Sequence, residues 1–129
     1  MLKDREYPDH VWKDAIEVAS ENGHLEVVKE LLNHPIPPHC DHDALELASR
    51  FGHVEIVNVL LKDREYPDHV WKRAIEIASR NGHLDVVKVL LNHPIPSACD
   101  HNALELARRF EQLDVLKILM DNHINNTNV

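Results

Sequence analysis

The chain has 129 residues, 43% hydrophobic and 28% charged, the balance of one globular domain and not of a disordered chain. Fourteen Lys and Arg stand against 22 Asp and Glu, and the resulting net charge of -8 repels phosphate, so nucleic acid is not an expected partner. No apolar run is long enough to span a membrane or read as a signal peptide, three Gly leave almost no phosphate-cradling loop, and two Cys cannot make a disulfide scaffold.

The chain repeats itself. Residues 2–60 recur as residues 61–119 with 42 of 59 positions identical. Each block is itself double, because Ala15, Ala44, Ala74 and Ala103 open the same phrase, Ala-[Ile/Leu]-Glu-[Val/Ile/Leu]-Ala, at spacings of 29, 30 and 29. Four units are expected, roughly 10–38, 39–68, 69–97 and 98–125, within a single repeat domain spanning 1–129.

In chain order, each unit opens on a helix. Asp14, Asp43 and Asn102 are expected to cap it, with Glu17, Glu46 and Glu105 three residues on reaching back to complete a capping box. Arg73 holds that place in the third unit and cannot cap; Asp68 after Pro67, and Asp9 after Pro8, offer a start one turn earlier. Gly23, Gly52 and Gly82 supply the left-handed residue that ends the first helix, and Glu111 stands there in the last unit. A second helix of about nine residues follows, to Leu32, Leu61, Leu91 and Met120, with Pro35, Pro67 and Pro94 forbidding its continuation. Helices this short are unstable alone. Stacked, they bury one continuous core through Leu25, Leu31, Leu45, Leu60 and their counterparts, so the expected fold is an all-α solenoid of four helix-turn-helix units. The segment Leu2-Lys3-Asp4 matches the end of a second helix at Leu61-Lys62-Asp63, so the chain is expected to open in mid-repeat, as a stretch of a longer array would.

The second-helix phrase GHLEVVKELL (23–32), GHVEIVNVLL (52–61) and GHLDVVKVLL (82–91), with the first-helix phrase before it, resembles the ankyrin repeat family over about residues 10–122. The resemblance implies a curved stack of antiparallel helix pairs and a non-enzymatic role in binding another protein on the concave face. The units are shorter than the family's usual repeat of about 33 residues, the shortening falling in Pro-rich connecting loops such as HPIPPHCDH.

Contact residues follow from the family's variable positions, the two before each turn Gly: Glu21 and Asn22, Arg50 and Phe51, Arg80 and Asn81, Arg109 and Phe110. Residues just before each first helix join them: His10 and Lys13, His39 and His42, His69 and Lys72, and His101. The ladder Arg50, Arg80, Arg109 suits a partner carrying carboxylates. Trp12, Trp71 and Tyr66 are candidate anchors, because interface energy concentrates on Trp, Tyr and Arg; the competing role for the Trp pair is packing under the shortened loops.

His24, His53 and His83 belong to the repeat phrase and are expected to bond backbone at the turn. His34, His39, Cys40 and His42 could gather around zinc, but the spacing fits no usual zinc pattern and the second copy replaces His39 with Ala98, so no metal and no cofactor are expected. Cys40 and Cys99 are two units apart, beyond disulfide reach, and reduced thiols point to an intracellular, cytoplasmic protein. No Gly-x-Ser-x-Gly, His-Glu-x-x-His or Gly-rich phosphate loop is present, so no catalytic residue is assigned. The alternative to partner binding is a structural segment that stacks or self-associates through an uncapped N-terminal repeat.

Overall fold

The computed structural model describes residues 8–34, 42–63, 65–92 and 101–127, and among these it contains eight α-helices and no strand. In chain order they are α1 (Asp9–Asn22), α2 (Leu25–Leu32), α3 (His42–Arg50), α4 (Val54–Asp63), α5 (Asp68–Arg80), α6 (Leu84–Leu91), α7 (His101–Arg109) and α8 (Leu113–Thr127). Odd-numbered helices pack on odd and even on even along the stack, and each odd helix packs on the even helix that follows it.

The helix starts differ from the capping boxes expected. α1 and α5 begin one turn earlier, behind Pro8 and Pro67 in extended conformation, with no side-chain cap and with Asp9 or Asp68 in the first turn facing the helix dipole. Asp14 is therefore mid-helix. Asp43 and Asn102 lie just inside α3 and α7, which open at His42 and His101.

The helix ends follow the sequence closely. Gly23, Gly52 and Gly82 have φ of 76°, 75° and 73°, the left-handed conformation that costs Gly nothing. The next residue's N–H donates back to the helix: His24 to Ala19 O at 2.9 Å, His53 to Ala48 O at 2.9 Å and His83 to Ala78 O at 3.0 Å, the 6→1 bond of a Schellman turn. Unit four makes the same bond from Gln112 to Ala107 O at 2.8 Å, with Glu111 held at φ 57°. The last helix outruns expectation, reaching Thr127 and not stopping near Met120, because no proline follows to break it.

The core runs unbroken through all four pairs. Ile16, Leu45 and Ile75 from the first helices meet Val28, Val57, Val87, Leu31, Leu60, Leu90 and Leu119 from the second, all essentially inaccessible to solvent. Where first helices meet, their side chains are small: Ala44, Ala74 and Ala103, then Ala19, Ala48, Ala78 and Ala107, then Ser20, Ser49 and Ser79. Second helices meet through Val, Ile and Leu. Small side chains allow closer approach, and the first helices pack on one another more extensively than the second helices do. The first helices therefore form the more closely packed row of the stack. Among the described residues the buried hydroxyls of Ser20, Ser49 and Ser79 find no hydrogen-bond partner, so small volume is what these three positions supply.

Candidate protein-interaction face

Three stripes run across the outer face of the first helices. One is a row of carboxylates, Glu17, Glu46, Glu76 and Glu105. The second is aliphatic, Val18, Leu47, Ile77 and Leu106. The third, at the helix C-terminal ends, holds Glu21, Arg50, Arg80 and Arg109, each followed by Asn22, Phe51, Asn81 or Phe110.

The carboxylate row was expected to cap helices, and it does something else: it ties neighbouring units together. Arg73 Nε donates to Glu46 Oε1 at 2.8 Å, and Arg50 Nη2 to Glu46 Oε2 at 3.0 Å, so one carboxylate holds a guanidinium from the next unit and one from its own. Asn102 Nδ2 donates to Glu76 Oε2 at 3.2 Å in the same register one unit further on. In the first step of the stack that register sets Asp43 against Glu17, two like charges, and the Lys13 ammonium pairs with both. Glu17, then Asp43, hold the Lys13 ammonium above its ordinary pKa, and Glu46 does the same for the Arg73 guanidinium.

The turn imidazoles also join units. His53 Nε2 is hydrogen-bonded to Glu21 O at 3.0 Å and His83 Nε2 to Arg50 O at 2.8 Å, so each reaches back to the last turn of the preceding first helix. Gln112 Nε2 donates to Arg80 O at 3.1 Å in the final unit. The rings lie flat against the preceding turn: a Cβ on Gly23 would sit 2.8 Å from His53 Cε1, and one on Gly52 would sit 2.6 Å from His83 Nδ1. Glycine is needed there twice over, for its φ and for the ring.

Of the expected contact residues, Trp12 and Tyr66 are buried. Trp12 packs against His34 with ring centroids 5.5 Å apart, and Tyr66 packs edge-on to Trp71 at 6.5 Å and tilted against His42 at 5.8 Å. Trp71 and His42 are half-buried in the same cluster. These four are tied up in ring contacts with one another and with His34. Asn22 and Asn81 are exposed, but their amides donate to Val18 O and Ile77 O at 2.9 Å, closing their own helix ends. His39, Cys40, His93 and Cys99 lie outside the described residues. Among those described, no group of three or more His, Cys, Asp or Glu could hold a metal, and no helix is long and apolar enough to cross a membrane.

What remains open to a partner is the third stripe with the aliphatic row beside it. Phe51 and Phe110 are 48% and 43% exposed, and Glu21, Arg80 and Arg109 are exposed as well. Arg50, Phe51, Ile77, Arg80, Asn81 and His83 line an open groove of about 570 Å³, and the Arg80 guanidinium carbon lies 5.0 Å from the centre of the Phe110 ring. A smaller groove of about 190 Å³, walled by Glu46, Arg73, Glu76, Ile77, Arg80 and Leu106, joins the Arg stripe to the carboxylate row. The aliphatic stripe is the part that sequence reasoning missed. Its signal was the fourth position of the repeated phrase, apolar in all four copies; the structure leaves Val18 exposed and Leu47, Ile77 and Leu106 half-buried beside the groove.

A family model for ankyrin repeats (three copies) matches residues 8–70, and one for a single ankyrin repeat matches residues 74–102. The chain belongs to the ankyrin repeat family, whose repeats are in general non-enzymatic protein–protein interaction modules. No curated protein matches the chain.

Proposed function

We propose that this chain is a non-enzymatic interaction module that binds another protein on the concave face of the first helices. The observation that carries the reading is the pair of benzene rings, Phe51 and Phe110, left about half in water on either side of Arg80. Rings held at the edge of a groove beside guanidinium groups are the side chains on which interface energy concentrates. Glu21, Arg50 and Arg109 extend that surface, and Asn22 and Asn81 sit on it as end-closing residues. Affinity capture with wild-type chain and with a Phe51→Ala, Arg80→Glu, Phe110→Ala variant tests the proposal. The variant should lose partners that the wild type retains, and unchanged recovery would rule out this surface.

A second reading, stacking or self-association through the N-terminal repeat, is favoured by one residue. Val27 is 48% exposed, whereas its counterparts Ile56, Val86 and Val115 are 1%, 0% and 2% exposed. Light scattering over a range of concentrations decides it: a species that stays monomeric throughout removes self-association.

A further inference from the structure

The two halves of the chain place the same geometry under opposite charge. Arg80 precedes Asn81 in the third unit and stacks on Phe110 of the fourth. One half earlier, the residue in the place of Arg80 is Glu21, and the residue in the place of Phe110 is Phe51. The change is part of a wider asymmetry: residues 2–60 hold five Lys and Arg against twelve Asp and Glu, and residues 61–119 hold nine against nine. On the groove edge this becomes a gradient, Glu21 in unit one, then Arg50, Arg80 and Arg109, with Arg108 exposed beside Arg109.

The Arg residues along that edge are not equally committed. Arg50 is bonded to Glu46, which also holds Arg73. Arg80 lies over the Phe110 ring, and a guanidinium on an aromatic face can still donate from its N–H groups to a carboxylate in bidentate fashion. The C-terminal dipole of α7 accounts for a cation at its end, but not for a ring half out of water next to it. A basic edge with an apolar patch, on a protein whose other half is acidic, selects by sign and by direction.

We infer that the Arg80–Phe110 edge, with Arg109, takes an acidic polypeptide segment carrying one large apolar side chain, and that this segment lies with its carboxylates over units three and four and away from Glu21. The inference rests on the proposed interaction face and specifies its partner. A nucleic-acid strand is a poorer fit, because its charge is uniform and would meet the acidic first half.

Fluorescence anisotropy with labelled synthetic peptides tests this. The probes are a glutamate peptide with one central Phe, its lysine counterpart, and a single-stranded oligonucleotide of matching charge. The glutamate peptide should bind, weaken with added salt, and lose about tenfold in affinity on Arg80→Glu, a change of about 1.4 kcal/mol. Glu21→Arg should strengthen binding by rebuilding the pair against Phe51. Both side chains are exposed, so both variants should keep the wild-type circular dichroism and melting profile. Equal binding of the lysine peptide, tighter binding of the oligonucleotide, or indifference to Arg80→Glu would overturn the inference. If the acidic preference fails while the triple variant still loses its captured partner, the acidic segment is wrong and the interaction face stands; if both fail, both are wrong.

Discussion

Residues 2–60 and 61–119 bury most of the same places, Val27 and Val86 being the clearest exception. Ile16 answers to Ile75, Val28 to Val87, Leu31 to Leu90 and Leu60 to Leu119, and all eight are buried. Where the halves differ inside, at Ile56 and Val115 or at Val57 and Leu116, one aliphatic replaces another. The substitutions that change charge or shape lie mostly on the rims, at Asp14 and Arg73, Glu21 and Arg80, Gly52 and Glu111, and His53 and Gln112, with one inside, where buried Ser49 gives way to exposed Arg108. A duplicated stack must keep the apolar surfaces by which units meet, because each is packed on both sides. Its rims can diverge and still join units by other means, as Gln112 does in the place of His53.

The sharpest way to break the equivalence is at its seam. Leu60 ends the first half, and its side chain lies in the core shared with the second. Leu60→Ala should cost about 2–5 kcal/mol in urea unfolding, in one transition seen alike by Trp fluorescence and circular dichroism; two separated transitions would show that the halves fold apart. The turn glycines come next. Gly52→Ala meets both a left-handed backbone and the His83 ring, and should cost about 2–3 kcal/mol. Gly82→Ala should cost less, because the group over it is the end of the flexible Gln112 side chain and not an imidazole ring. The smallest effect belongs to the charge register. Arg73→Asp, which copies Asp14 into the second half, removes the bond to Glu46 and sets two carboxylates together. It should lower stability by about 1 kcal/mol at low salt and less at high salt, as thermal melts at two ionic strengths would record.

Much of this was legible in the chain. The turn glycines, the second helices and the spine through Leu31, Leu45 and Leu60 depend on spacing within one unit, which a repeated sequence displays; the expected Leu25 position is only partly buried, and its copy Leu113 is 70% exposed. The pairing of Glu46 with Arg73 was not legible, since it depends on the offset between units and on a helix start that Pro67 moves upstream by a turn. Asp14 and Glu17 imitate a capping box for the same reason: the pattern is local, and Pro8 and Asp9, which open the helix, lie six and five residues before Asp14. Aromatic exposure was the other blind spot. Trp12 and Tyr66 have the chemistry of interface anchors but are buried, whereas Phe51 and Phe110, next to the helix-ending turns, are about half exposed.

Glu111 carries a consequence for anyone who would lengthen the array. A further unit of the same design, added beyond α8, would lay its turn histidine on the residue after Phe110, where its counterparts meet a bare backbone and this one would meet a side chain. An imidazole laid there would meet the side chain of Glu111, whose backbone is held at φ 57°, and Glu111→Gly is the change that would clear its place.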